Sequence, residues 1–510
     1  MKKQIINIIN FVRGVLPGAE MDYLVAPVKE QIRLMKKHSL KGTFLLQYDA
    51  MILDEYVEIF KALDSQQFEL GIWHEIVQPL AEDCGMVWRG KYPWDWHTDC
   101  GFPVGYTKEE REKLVDAQYE KFKSIFGYYP RVFGSWFFDT HTARYIEERY
   151  GADAFCNCKE QYGTDGYTLW GGYYGQGYYP SCKNVFMPAG KIEHQIHIPL
   201  FRMLGSDHVY QYDYKIDVNR SCPAIQKVIT LEPVCPENGG GNEAWVDWYM
   251  KENFNGECLS FGYAQAGQEN TFGWQKMDKG LTYQFALFEK LRDLRKITVE
   301  KLGETGRWYK ESYKETPASA IVAHTAFDSD KNSVWYSTKY FRINLYGEHN
   351  KMRIRDLHIF SDKYLDPYED TVCTKNFAVY DTLPLIDGNR YTGKGILAGG
   401  YLKNIDGTEP QFEKMEFQDA GNGKAVITYG DIIVELQEAS VKITGTKPFT
   451  LENRIGISGD HLPEIINVTS ESIALLYNGI EYAVVLKEGK VLDRNIFCSE
   501  GNVMELVFRS

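Results

Sequence analysis

From residue 5 to about residue 275, short apolar runs alternate with segments of helical period, the pattern of a parallel sheet wrapped by helices. This alternation restricts the possible folds more than any other feature of the chain. Seven strands are expected: Ile5–Val12, Gly42–Tyr48, Glu69–Ile76, Arg131–Phe138, Ala152–Cys158, His197–Leu204 and Leu259–Ala264. Between the first two, Leu24, Val25, Val28, Ile32 and Met35 share one helical face. Thr107-Lys-Glu-Glu110 has the form of a capping box, and the helix it opens is stopped by Gly127 and Pro130.

The pattern then changes. A helix around Lys279–Lys301 and a crossover near Gly303–Ser319 precede β-rich segments such as Val334–Leu345, Lys351–Ile359, Lys424–Tyr429, Ile432–Leu436, Ser472–Tyr477 and Glu481–Lys487, separated by Asn, Asp and Gly turns. At 510 residues the chain exceeds the roughly 250 to 300 at which one core stops growing, so more than one domain is required. The expected fold class is therefore α/β: a (β/α)7-type catalytic barrel over residues 1–302, a linker or crossover over 303–319, and an antiparallel β-sandwich over 320–510.

A net charge of −13 with no Lys/Arg-rich block opposes binding to nucleic acid. No run approaches the 18 or so apolar residues of a spanning helix, so no membrane partner is expected. The opening Met1-Lys-Lys followed by an apolar run is broken by Asn7 and Asn10 and lacks a small-x-small cleavage site, so it reads as a first strand and a cytoplasmic location is expected. Ten scattered cysteines lack the density of a disulfide scaffold. Oligomeric state is not legible.

In barrels of parallel strands the loops at the carboxyl ends converge while the interior is packed solid, so chemistry is sought at that rim. The strand ends deliver Arg13, Asp49, Trp73-His74-Glu75, Asp139-Thr-His141, Lys159, Asp207-His208, and Gln265 with Glu269. Acidic side chains are costly there unless paired or used. Glycoside hydrolysis needs two carboxylates, and Glu75 with Asp207 is the expected pair, with Asp139 and Glu269 as alternates. Aromatic residues make up 14% of the chain, and nine of eleven tryptophans fall between residues 73 and 274, where flat faces can stack on sugar rings. Expected substrate contacts are Arg13, Trp73, His74, Trp94, Trp96, Trp136, His141, Trp170, His208, Gln265 and Trp274. The loop Trp88-Arg-Gly-Lys-Tyr-Pro-Trp-Asp-Trp96 sets two indoles about an acid, and residues 160–195 form a long Gly/Tyr-rich loop of the kind that is usually functional.

A divalent metal is the competing use of His74, Asp139, His141 and Asp207, but no pair has the helical i, i+4 spacing of a metalloprotease. No metal or cofactor is required by the carboxylate reading. No phosphate-cradling loop follows Gly239-Gly-Gly241, and no Gly-x-Ser-x-Gly elbow is present.

This layout resembles the glycoside hydrolase and polysaccharide deacetylase superfamily, whose members fold as (β/α)7 barrels, several with a β-sandwich behind. Gly71-Ile-Trp-His-Glu-Ile-Val-Gln-Pro79, Gly134-Ser-Trp-Phe-Phe-Asp-Thr-His141 and Ala266-Gly-Gln-Glu-Asn-Thr-Phe-Gly-Trp274 look like segments of bacterial members. The deacetylase branch implies a metal-binding Thr-Phe-Asp-Asp-Gly stretch on strand one and a His-Ser/Thr-x-x-His stretch later. Here strand one reads Asn10-Phe-Val-Arg-Gly14, and no such His pair follows His74. The expected function is a glycoside hydrolase acting on a carbohydrate substrate; a metal-dependent carbohydrate deacetylase and a non-catalytic glycan-binding protein are the rivals.

Overall fold

The computed structural model describes residues 2–508 apart from 329 and 459–461. Among the described residues, the main run of the N-terminal sheet is seven parallel strands: β1 (Gln4–Val12), β2 (Gly42–Leu46), β3 (Phe68–Trp73), β4 (Val132–Gly134), β5 (Ala154–Asn157), β6 (Leu200–Arg202) and β7 (Gly262–Ala266). Their spatial order is β7-β1-β2-β3-β4-β5-β6, with Gly177–Tyr178 antiparallel at the far edge. The apolar character of β1 follows from its central place, since all nine residues are buried.

Alternation along each strand splits the core into two layers. Ile5, Ile9, Phe11, Leu45 and Trp73 pack inside with Phe201 and Tyr263, whereas Ile6, Ile8, Val12, Phe44 and Ile72 pack with the helices. Those helices include α1 (Met21–Lys37) and α2 (Lys108–Phe126). The α2 capping box is formed, and Gly127 closes the helix in the left-handed region at φ 85°.

No strand pairing joins β6 to β7 among the described residues; side chains stitch that seam instead. The Gln265 carboxamide accepts from the Leu204 amide at 2.6 Å and donates to the Ile9 carbonyl at 3.1 Å. Gln176 Nε2 donates to the Phe261 carbonyl at 2.6 Å. Gln265, expected at the ligand, is thus a structural clasp that satisfies backbone groups a closed ladder would have paired.

The segment expected to cross between the halves is not a plain linker. Thr298–Glu300 adds to β1 in parallel, and Leu302–Ser312 is a helix lying against β1 and β5. A Cβ on Gly306 would collide with the Asp153 carbonyl oxygen, so glycine here permits close packing rather than a turn.

Two antiparallel sheets follow in a sandwich, of nine and eight strands among the described residues. Asn332–Ser337 and Phe341–Glu348 are two strands of a hairpin where the sequence suggests one run. The sandwich also supports the barrel rim. Ala378–Tyr380 pairs in parallel with Tyr167–Leu169, which is itself paired with Gln161–Thr164 of the Gly/Tyr-rich loop. No helix among the described residues is long and apolar enough to cross a membrane.

Candidate functional site

A cavity of about 530 Å³ opens at the carboxyl-end rim of the seven strands. Into it come Arg13 beyond β1, Glu75 beyond β3, Trp136 beyond β4, Cys158 and Lys159 beyond β5, and Glu269 beyond β7. The hairpin held by the sandwich adds Gln161, Thr164, Asp165 and Tyr167, while Glu232 and Cys235 come from the irregular stretch before the helix Glu243–Asn253. Trp94 and Trp96 close one side. Asp95 between them fixes their loop: its carboxylate accepts from the Lys91 amide at 2.9 Å, the His97 amide at 3.1 Å and His97 Nδ1 at 2.6 Å.

The floor is an ion cluster. Arg13 Nε and Nη2 donate to the two oxygens of Glu75, each at 2.9 Å, and Nη1 donates to Glu269 at 2.5 Å. Gln47 Nε2 adds a bond to Glu75 at 2.6 Å, Thr271 donates to Glu269, and the Trp94 ring lies 4.3 Å from the guanidinium. Such a fork-shaped, fully buried pair is strong only when every member is satisfied. Burial opposes the charge on Arg13, but Glu269 and Glu75 outweigh it and its pKa rises above the usual guanidinium range. Burial pushes Glu269 up, against the pull of Arg13 and Thr271. Asp49, whose carboxylate accepts from the Gly14 and Ala50 amides at 3.0 and 2.7 Å, is pushed up by burial to about 6.

Strand alternation decides which of the other expected residues reach this cavity. Along β3 and its extension, Trp73 points into the barrel, His74 out toward α2 and Glu75 in again. Trp73 stacks on Phe11 with centroids 4.2 Å apart and is fully buried, so it is core. His74 Nδ1 meets Gln118 at 2.5 Å under α2, and burial lowers its pKa to about 4.

Asp207 does not face Glu75 across the cavity. It accepts from the Val209 and Tyr210 amides at 2.8 and 2.6 Å and from Trp245 Nε1 at 2.9 Å, organising its own turn. Asp139 is the N-cap of the helix Thr140–Arg149: it accepts from the Thr142 amide at 3.0 Å and pairs with buried Arg111 at 2.9 Å. His141, in the first turn of that helix, meets Glu112 at 2.9 Å. His208 contacts Asn253 at 3.0 Å and Tyr174 at 3.3 Å, and burial lowers it to about 4. Trp170 donates to Asp387 at 2.8 Å among sandwich residues, and Trp274 begins the helix Trp274–Asp293. None of these lines the cavity.

Of the expected residues, Arg13, Glu75, Glu269, Trp94, Trp96 and Trp136 meet in it. Glu232, Asp165, Cys158 and Cys235 are cavity residues that sequence reasoning did not select, and Lys159 was visible at a strand end but not assigned. Lys159 makes no hydrogen bond or ion pair among the described residues, although it is only 5% exposed. Glu232 accepts from Thr230 Oγ1 at 2.6 Å and Gln268 Nε2 at 3.5 Å and has no cationic partner among the described residues. Lys159 and Glu232 both act electrostatically on Cys235 and Asp165, which places the two charges around the same space.

The metal expected of the deacetylase branch does not fit these donors. No group of three or more His, Cys, Asp or Glu side chains is placed to hold an ion among the described residues. The carboxylates that do meet, Glu75 and Glu269, have a guanidinium between them.

No protein-family model matches the chain, and no curated protein matches it in sequence. Among solved structures, a candidate glycoside hydrolase/deacetylase from Parabacteroides distasonis superposes with a TM-score of 0.54 at 13% identity, over 75% of this chain and 91% of its own. A candidate polysaccharide deacetylase from Mycobacterium smegmatis gives 0.36 at 11% identity, over 61% and 91%. Another, from Pseudomonas aeruginosa PAO1, gives 0.36 at 13% identity, over 61% and 93%. The expectation of O-glycosidic hydrolysis is corrected. The Glu75–Asp207 pair on which that expectation rested is not assembled: Glu75 is held by Arg13 at the cavity floor, while Asp207 binds its own turn and does not line the cavity. The chain shares its barrel fold with the candidate glycoside hydrolase/deacetylase from Parabacteroides distasonis, and an antiparallel β-sandwich follows the barrel.

Proposed function

We propose that this chain is a hydrolase that removes an acyl group from a carbohydrate held in the rim cavity. The observation that carries the reading is the convergence of three indoles, Trp94, Trp96 and Trp136, with an ammonium and a carboxylate that no ion pair consumes, Lys159 and Glu232. Indole faces stack on sugar rings, and a mostly apolar concavity with a few polar groups is the usual form of a small-molecule site. The likeness in fold to a candidate glycoside hydrolase/deacetylase adds to it by analogy.

Acyl transfer to water builds negative charge on the carbonyl oxygen, and a fixed cation in a site of low dielectric stabilises that charge. Lys159 supplies that cation. Glu232 takes a proton from the water as its oxygen bonds to the acyl carbon, then returns it to the departing sugar nitrogen or oxygen as the bond to that atom breaks. Arg13, Glu75 and Glu269 hold the floor on which the sugar rests. The test is acetate release from N-acetylated and O-acetylated oligosaccharides by the purified chain. Release from members of either set supports the reading, and saccharide binding without release from any of them would make the chain a glycan-binding protein instead.

A further inference from the structure

We propose that the Arg13 guanidinium is the resident cation at the floor of this barrel rim, compensating the buried carboxylates Glu75 and Glu269 in the place where the resemblance to the deacetylase branch implies a divalent ion.

Three observations carry it. First, Arg13 stands in Asn10-Phe-Val-Arg-Gly14 just beyond β1, so this strand end delivers a cation where the resemblance to the deacetylase branch implies aspartates. Second, that cation is ligated as a metal would be. Glu75 grips it through both oxygens at 2.9 Å, Glu269 at 2.5 Å, and Gln47 orients Glu75 from behind at 2.6 Å. Third, it is sealed: Arg13 is 2% exposed, Trp94 covers it at 4.3 Å, and Asn270 accepts from its amide at 2.9 Å. A divalent ion would have to displace or adjoin this fixed positive charge, and like charges in so dry a place repel strongly. Arginine suits the post because its guanidinium stays charged and its planar fork matches two carboxylates.

The charged groups facing Arg13 are Glu75, Glu269 and Asp49, with Asp165 acting on it from farther across the cavity. Acids therefore outnumber the cation, and removing the arginine charge leaves Glu75 and Glu269 buried without compensation. The loss should then be relieved by anything that restores positive charge.

The experiment has two arms. Metal analysis of the purified wild-type chain, with melting curves in chelator and in added Mn2+ or Zn2+, should find no stoichiometric ion and no shift in Tm. Arg13→Met should melt at lower temperature, and its deficit should shrink on adding Mn2+ or on acidification, because either neutralises the stranded carboxylates. Arg13→Lys, which keeps the charge, should lose less and gain no response to Mn2+. A stoichiometric ion in wild type whose removal lowers Tm would overturn the proposal, and this arm decides even if Arg13→Met does not fold. A folded Arg13→Met whose deficit ignores both pH and Mn2+ would overturn it too, since that is the behaviour of a packing defect.

Discussion

Arg13 and Glu75, sixty-two residues apart in sequence, meet through two parallel N–H···O bonds of 2.9 Å at the floor of the rim cavity. Each is delivered by strand alternation: Arg13 is two residues beyond inward Phe11, and Glu75 two beyond inward Trp73. Replacing one member of a buried pair leaves the other charge exposed to the cost of desolvation. Glu75→Gln is expected to lower unfolding stability by about 3 kcal/mol or more, measured by chemical denaturation. A change below about 0.5 kcal/mol would mean the pair is solvated in solution.

Asp49 gives a pH dependence of known sign. Its folded pKa, about 6, lies above the unfolded value of 3.8, so burial favours its protonated form. The stability this contributes is fully present below pH 3.8 and is lost as pH rises through 6. Asp49→Asn should therefore gain on wild type as pH rises from about 4 to 7, by up to about 3 kcal/mol at two pKa units. Parallel stability curves for the two proteins would refute the assignment.

Trp96 is 47% exposed at the mouth of the cavity, so its removal costs little core. Trp96→Ala should weaken saccharide binding roughly tenfold, about 1.4 kcal/mol, with Tm almost unchanged. Isothermal titration of the two proteins with one oligosaccharide checks this, and equal affinities would remove Trp96 from the site.

Gly306 tests the packing beneath the barrel. With a Cβ driven into the Asp153 carbonyl, Gly306→Ala is expected to destabilise by about 1–3 kcal/mol despite alanine's better helix propensity. A more stable variant in thermal denaturation would contradict the close approach.

The layered pattern made the sheet legible: all seven expected strands are present, most of them shorter than their apolar runs because the ends bend into loops. The helix Leu302–Ser312 was hidden because Gly303 and Gly306, placed there for close packing, read as breakers. At the site, apolar and acidic content at strand ends could be read, but not which way each end points. His74 and Glu75 are neighbours on opposite faces, and Asp139 served a helix N-terminus rather than the cavity. Glu232 lies in an aperiodic stretch, where no repeat betrays that the chain returns to the rim. Arg13 was read as a sugar contact, since no sequence signal announces that two distant glutamates will saturate it.

The central claim is best tested by comparing kcat/KM for acetate release in wild type, Lys159→Met and Glu232→Gln, with His141→Ala as a variant remote from the cavity. The account predicts losses of about 10²-fold or more for both cavity variants and none for His141→Ala. Retention of full activity by either cavity variant would contradict it.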